Sequence, residues 1–396
     1  MDSVMMEEKV LKLDKSNWQP TKLGDLANEL SRRVDNPCES EYNRFVGLGN
    51  FVSGDIKIKS WETTDGLTSS AKAFEAGDIL FARRNAYLRR ASMVDFDGCC
   101  SGDAFVLREN HDKVVPGFLA FLLNSNALWD YANSNAAGTM SKRVKWRDLA
   151  EYEFLLPPKD QQAKLAKLLW DMDEVIEKEK EVLQRNLVLN HTLIKENITN
   201  LFYKKNQSFY KLSEVCEIKG RVGWRGYKKT DLREKGPYVI GAKHIDDYYR
   251  LDLSKPTFLS DEKFEESPEI KISEGDILVV QRGTLGKIVH ITDQIGNATI
   301  NPSMVLLKNI IIDSSYLFSV LISPYILNAI NRISSSTGVP MITQKDLGEF
   351  KIPKIDTLIS SDIGQKVKTI RELVKQTEIK ITSSQSLQKS LINQVF

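Results

Sequence analysis

The chain has little of what metal or redox chemistry requires. Its four cysteines (Cys38, Cys99, Cys100, Cys216) and four histidines (His111, His191, His244, His290) are scattered over 396 residues, with no CxxC pair and no ligand spacing for a metal. The expected state of the thiols is reduced, in a cytoplasmic protein. Net charge is nearly absent too: 55 Lys+Arg against 53 Asp+Glu leave +2, so only local clustering can argue for a nucleic-acid partner. No run approaches 18 apolar residues, and the opening MDSVMMEE is acidic, without the basic-then-apolar order of an export signal. Catalytic motifs are missing as well: there is no GxxxxGK[ST] loop, no GxGxxG after a strand, no GxSxG elbow and no HExxH. NPSM at 301–304 lacks an aromatic on which a flipped base would stack, and no glycine-rich cofactor loop accompanies it, so it reads as a strand entry.

What is present begins with helix. After LLPPKDQQAKL at 155–165, apolar residues Leu165, Leu169, Met172, Ile176, Leu183, Leu187, Ile194, Ile198 and Leu201 follow gaps of 4, 3, 4, 7, 4, 7, 4 and 3, a heptad seam. Pro157 and Pro158 stop what precedes, Asp160 is the expected N-cap, and a helix over 161–202 would be about 63 Å long. A second seam, Ile363, Val367, Ile370, Val374, Ile381, Leu391 and Val395, closes the chain in the same phase. Two such helices favour pairing with each other. Glu179 and Asn190 on the first seam, and Thr377, Ser384 and Gln388 on the second, are polar positions of the kind that fix register rather than add stability.

The rest of the chain is one unit written twice. GDIL at 77–80 recurs at 275–278, an offset of 198, half of 396; the same offset relates Ser125 to Ser323 and Asp148-Leu149 to Asp346-Leu347. Each half predicts a short helical start (from Pro20 and from Tyr210), alternating strands, a Gly-Asp turn into an apolar strand, a helical hairpin capped at Ser125 or Ser323, a glycine-containing loop and a last strand. With 41% apolar residues, several cores are possible, and α+β globules separated by long helices are expected. Phe118, Leu128 and Trp129 are read as core.

Basic clusters lie at matching places. RRNAYLRR at 83–90 follows the first apolar strand, and QRGTLGK at 281–287 the second; SKRVKWR (141–147) and TQK (343–345) precede the last strands. Arginine grips phosphate or pairs with guanine, and amides pair with adenine, whereas a single such cluster is more often a solvated face. Two clusters at equivalent places in both repeats favour nucleic acid. RVGWRG at 221–226, with Arg221 and Arg225, is equally a nucleic-acid contact or a packed turn.

On these residues the chain resembles the specificity subunit (HsdS) of type I restriction-modification systems. The resemblance rests on the LLPPKDQQAKLAKLLWDMDE boundary, the GDIL strands followed by RR or RGTLG, the two glycine loops ending in Asp-Leu, and the duplicated order. It implies an α+β chain with a first target-recognition domain at 1–158, a central helix at 159–203, a second domain at 204–355 and a C-terminal helix at 356–396, the helices pairing as an antiparallel coiled coil. It further implies a non-catalytic DNA reader for a bipartite, asymmetric double-stranded site. The partners implied are two HsdM methyltransferases using S-adenosylmethionine for adenine N6 methylation, and HsdR, an ATP- and Mg-dependent translocase and nuclease. The chain itself would hold no cofactor or metal, and the host would be bacterial or archaeal. On this resemblance Arg83, Arg84, Asn85, Tyr87, Arg89, Arg90, Ser141, Lys142, Arg143 and Lys145 face the first half-site. Gln281, Arg282, Thr284, Lys287, Thr343, Gln344 and Lys345 face the second, and helix faces opposite the seam, including Trp170, would dock HsdM. The first glycine loop is two residues longer than the second (Gly138 to Leu149 spans 11, Gly338 to Leu347 spans 9), so unlike half-sites are expected. Two other readings stand beside this one: a coiled-coil adaptor for proteins, marked by absence of DNA binding at low salt, and a self-sufficient DNA-modifying enzyme, marked by tight S-adenosylmethionine binding.

Overall fold

A computed structural model describes residues 13–139, 141–221, 226–333 and 339–396. Arg225 and Gly338 lie outside the described residues. Two compact units emerge, one formed by residues up to Glu181 with Ile379–Phe396, the other by Val182–Glu378. Each contains a globular α+β part and portions of both long helices.

The same sheet is built in both. In the first unit the strand order is Ala27–Leu30, Ala104–Glu109, Ile79–Ala82, Ala91–Met93; in the second it is Glu217–Gly220, Met304–Lys308, Ile277–Val280, Ile288–His290. All neighbours are antiparallel. Period-two alternation explains why the GDIL strands are apolar throughout. Ile79 and Phe81 face a core with the helical hairpin Leu119–Leu122 and Asn126–Ser134, while Leu80 and Ala82 face a second core beneath a five-stranded sheet. Likewise Ile277 and Val279 face the hairpin Ser314–Leu321 and Pro324–Ile333, and Leu278 and Val280 the opposite core. Phe118, Leu128 and Trp129 are core residues, each no more than 1% exposed.

The Gly-Asp turn is the fixed point of each sheet. Gly77 and Gly275 have φ of +92° and +89°, a left-handed conformation that a side chain would strain. The next aspartate is buried: Asp78 accepts from the Glu75 amide at 2.8 Å and takes Arg108 in a two-pronged pair at 2.7 and 2.9 Å. Asp276 accepts from the Ser273 amide and pairs with Lys308, both at 2.8 Å. A carboxylate thus closes the turn and ties it to the neighbouring strand.

The expected helical starts shrink to a single helical turn set between two strands. Gln19–Lys22 and Phe209–Lys211 pair with the last strands, Glu153–Leu156 and Lys351–Pro353; a single helical turn follows (Leu23–Leu26, Leu212–Val215), and then a sheet strand. Closing each domain by joining its first and last strands overrides the local helical pattern. The NPSM stretch does enter a strand at Met304, with the Asn301 carboxamide oxygen accepting from the Ser303 amide and hydroxyl.

The central helix runs Lys159–Asn197, not 161–202. Asp160 lies inside it, because the Pro158 carbonyl already accepts from the Gln162 amide at 2.9 Å. Ile198 leaves the helical region (φ −120°, ψ −57°) and is fully buried, and Thr199–Tyr203 continue as a tighter 3-10 stretch. The C-terminal helix is Thr357–Val395. In the first unit Leu165, Ala166 and Leu169 share a core with Leu391, Ile392 and Val395; in the second, Ile194 and Ile198 share one with Ile363 and Val367. The start of one helix therefore meets the end of the other, an antiparallel coiled coil. Ile176, Ile370, Val374 and Ile381 are also buried, and Met172, Leu183 and Leu187 partly so. The polar seam positions match at the offset of 198 as well, Glu179 with Thr377 and Asn190 with Gln388.

Replacing Asp78 with alanine strips the turn and Arg108 of a common acceptor and is expected to lower unfolding free energy by about 2 kcal/mol. Urea denaturation checks this; a loss below about 0.5 kcal/mol would mean that the glycine alone holds the turn. Burial against Phe318, with the cationic Arg371 adding to it, pushes the His290 imidazole down to about 4 from its ordinary 6.5. The unfolded chain then binds a proton that the folded one refuses, so stability is present above about pH 6.5 and declines toward pH 4. His290→Gln should flatten that window in pH-dependent thermal melts.

Candidate nucleic-acid interface

In each unit the strand that follows Gly-Asp ends against the loop that precedes the last strand, so clusters far apart in sequence form one surface. The Asn85 amide donates to the Lys142 carbonyl and the Val144 amide to the Arg83 carbonyl, both at 2.9 Å. In the second unit the Gly283 amide donates to the Pro340 carbonyl and the Ile342 amide to the Gln281 carbonyl, again at 2.9 Å. Every one of these positions is related by the offset of 198.

The electrostatics of the two surfaces differ. In the first, Asp103 takes Arg143 in a two-pronged pair at 2.8 and 3.2 Å, with Arg84 at 3.5 Å and Arg83 at 3.9 Å. The Arg143 hydrogen bonds hold the Asp103 carboxyl below its ordinary range, against burial and with help from Arg83 and Arg84; Asp103 in turn raises Arg143. Arg84 also donates to the Ser141 hydroxyl at 3.2 Å, and the Arg83 guanidinium lies over the Phe105 ring. The Arg83 amide donates to the Asp103 carbonyl, whereas its counterpart, the Gln281 amide, donates to the Ser303 carbonyl. A neutral serine thus stands where the first unit has its organising acid, and Arg282 is exposed beside it.

Not every expected contact faces outward. Tyr87, Lys142, Lys145, Thr284, Gln344 and Lys345 are exposed. Asn85 sits at φ +55°, turning the chain back to the glycine loop. Arg89 is spent on Asn126 (2.7 Å) and Asp130 (2.9 Å), Arg90 on the Leu48 carbonyl (2.7 Å), and Lys287 on the Ile245 carbonyl (2.6 Å). The Gln281 carboxamide donates to Pro302 and Met304 carbonyls. Thr343 caps the helix Gln344–Gly348, accepting from the Asp346 amide and donating to its carboxylate. Arg221 packs inward: it is 8% exposed, donates to the Ile300 carbonyl and Thr299 hydroxyl, and lies over Tyr227. Trp170 also points inward, against Phe121 and above Gly117, where a Cβ would come within 2.7 Å of its indole nitrogen.

Asp103 carries no local signal, because its three partners lie about 20 and 40 residues away in sequence and only the sheet brings them together. An Arg44 guanidinium stacked on Trp61 and Phe96 was equally invisible.

Replacing Asp103 with asparagine removes the charge that orders Arg143. The amides of 141–144 are expected to exchange several-fold faster in hydrogen-exchange measurements, with the equivalent 339–342 segment unchanged; equal exchange in both forms would show that backbone pairing alone fixes the loop.

The model of the type I restriction modification DNA specificity domain matches residues 15–185 and again 204–382. Among curated relatives, the specificity subunit of the type I restriction enzyme EcoDI of Escherichia coli is 23% identical over 38% of this chain and 34% of its own length. That of MjaVIII of Methanocaldococcus jannaschii is 23% identical over 66% of this chain and 64% of its own, and that of HindI of Haemophilus influenzae 26% identical over 48% and 40%. The matched stretches thus span from a third to just under two thirds of these relatives. In fold, the S subunit of a type I restriction-modification system from M. genitalium covers 98% of both chains at a TM-score of 0.65 and 17% identity. A chain from a structure of type I R-M complex assembly and conformational transition covers 96% and 97% at a TM-score of 0.55 and 22% identity.

Proposed function

Since the chain belongs to the type I restriction modification DNA specificity family, we propose that it reads a bipartite, asymmetric DNA site with one unit on each half, positioning HsdM for adenine N6 methylation and HsdR for ATP-dependent cleavage. The observation that carries this reading is the pair of composite surfaces, alike in frame and unlike in charge. Strand end and glycine loop converge at equivalent positions in both units, yet one surface clamps three arginines on Asp103 and the other exposes Arg282 beside Ser303. One frame with two letterings suits an asymmetric site.

The chain acts without catalysis of its own. S-adenosylmethionine, ATP and Mg belong to its partners, and the setting is the bacterial or archaeal cytoplasm. Exposed Arg282, Thr284, Gln344 and Lys345 contact the second half-site, and Arg83, Arg84, Arg143, Tyr87, Lys142 and Lys145 the first. Arg89, Arg90, Lys287 and Thr343 shape those surfaces through their internal partners rather than by touching DNA. For HsdM, inward-facing Trp170 gives way to Leu168 and Val175, seven apart on the part of the central helix within the first unit and 42% and 49% exposed.

Methylome sequencing of a methylation-free host expressing this chain with its neighbouring HsdM tests the reading: a bipartite motif with N6-methyladenine in both halves is expected, and a complex that assembles without any modified motif would sink it. Arg282→Ala is expected to weaken binding by about 1–3 kcal/mol and relax one half of the motif only. Lys142→Ala should weaken all sequences about equally and reduce the salt slope by about 1, the mark of a phosphate contact.

A further inference from the structure

Each unit carries a loop that leaves the recognition domain and reaches a long helix. The strands Arg44–Val46 and Leu232–Ile240 occupy equivalent places, each parallel to a partner, Gly98–Cys100 or Ala298–Ile300. A glycine (Gly47, Gly241) and one 3-10 turn follow in both (Leu48–Asn50, Ala242–His244). The loop is tied to the reading surface by the Arg90 bond to the Leu48 carbonyl and the Lys287 bond to the Ile245 carbonyl. Its far end meets the helix.

The helix side of these contacts carries opposite charge in the two units. In the first unit Lys57 pairs with Asp173 at 3.2 Å, Lys59 with Glu177 at 2.7 Å and Asp55 with Lys180 at 3.2 Å. In the second, Arg371 donates to the Tyr248 and Tyr249 carbonyls at 3.2 and 2.8 Å, and Arg250 pairs with Glu378 and Asp246. Tyr249 sits at φ +59°, a conformation uncommon for tyrosine, within the stretch that offers two successive carbonyls to Arg371. The helix positions match by the repeat: 371 − 173, 375 − 177 and 378 − 180 all equal 198. Asp173, Glu177 and Lys180 of the central helix thus correspond to Arg371, Lys375 and Glu378 of the C-terminal helix, opposite in sign at all three places. Many seam positions keep their chemistry at that offset, Leu165 with Ile363 and Ile176 with Val374 among them, although Leu187 falls on Gln385.

These are not loose surface charges. Asp173 is 6% exposed, and Arg371 is buried enough that its guanidinium is pushed down to about 10. Burial opposes the charge of Lys59, yet its bonds to Asp55 and Glu177 hold it above the ordinary lysine range.

We propose that the three helix positions are an address that lets each recognition domain seat only on its own helix. A first domain set on the C-terminal helix would bring Lys57 toward Arg371, Lys59 toward Lys375 and Asp55 toward Glu378, like charges at all three places. A second domain on the central helix would bring Arg250 toward Lys180. The reversal supplies the repulsive element that discriminates between otherwise similar partners. Through Arg90 and Lys287 the same loops hold each reading surface at a fixed orientation to its own helix.

The test uses the full chain without DNA, so it is decided apart from the DNA-reading proposal. Hydrogen exchange is followed at 53–59 and 245–251. Writing the opposite address on the central helix (Asp173→Lys, Glu177→Lys, Lys180→Glu) should speed exchange at 53–59 about two- to fivefold or more, leave 245–251 unchanged as an internal control, and fade in 0.5 M salt. Reversing the loop in the same chain (Asp55→Lys, Lys57→Asp, Lys59→Glu) should return exchange to the wild-type rate. Lys180→Glu alone, a milder change, should move 53–59 in the same direction. Unchanged exchange in the reversed-helix chain, or no recovery when both sides are reversed, overturns the proposal.

Discussion

Everything in this molecule hangs on a short strand covered on both faces, entered through a glycine that no other residue replaces without strain. Ile79–Ala82 and Ile277–Val280 are buried at every position, so neither can slide by one residue without exchanging its two sets of core contacts. The buried aspartate before each strand pins its entry. Its exit is therefore fixed in space, and the arginine-bearing residues that follow leave the sheet at a defined point. The glycine loop then meets that exit through the same two hydrogen bonds in both units. A reading surface needs such pre-set geometry, because base and phosphate contacts act over hydrogen-bond distances and tolerate little displacement.

Much of this was legible in the sequence because the repeat supplies an internal check. GDIL, the Ser125 and Ser323 helix starts and the terminal Asp-Leu all fall at one offset, and the structure extends that offset to the pairs Asn85–Lys142 and Gly283–Pro340. The seam was legible for a different reason: heptad spacing is local, and Leu169, Ile176, Val367 and Val374 need no knowledge of the globular parts. What sequence missed was long-range. The starts at Pro20 and Tyr210 look helical locally but belong to strands closed by residues over 130 positions away. Trp170, outside the seam, looked free because its cover comes from Gly117 and Phe121. Asp103, the central acid of the first surface, follows an unremarkable Ser-Gly pair and gains meaning only when three arginines fold onto it.

Within each basic cluster the residues divide between two tasks. Arg89, Arg90 and Lys287 belong to the clusters by sequence, yet each spends its charge on a carbonyl or side chain of its own domain. Arg282 and Lys345 do not. A guanidinium spent on its own domain's carbonyls is suited to shaping a surface, whereas an exposed one keeps its hydrogen-bonding capacity for a ligand; Arg83, Arg84 and Arg143, though drawn to Asp103, remain 32–42% exposed and keep outer N–H groups for one. The same residue type in the same run thus serves scaffold and surface.

Duplication poses its own physical problem. Two copies of one domain and one helix, joined in a single chain, present two interfaces of nearly the same shape, and apolar packing alone discriminates poorly between partners of similar volume. Most hydrophobic seam positions match across the repeat, so the seam says little about which domain belongs on which helix. Charge can discriminate, because reversing a pair leaves its geometry intact while turning attraction into repulsion. Asp173, Glu177 and Lys180 against Arg371, Lys375 and Glu378 are such a reversal, and all of them but the exposed Lys375 touch the neighbouring domain. Polar seam residues such as Gln388, which donates to the Leu169 carbonyl at 3.2 Å, add a second constraint by requiring one register. A symmetric frame can then carry asymmetric reading surfaces, since the features that distinguish the halves lie outside the elements that make them fold.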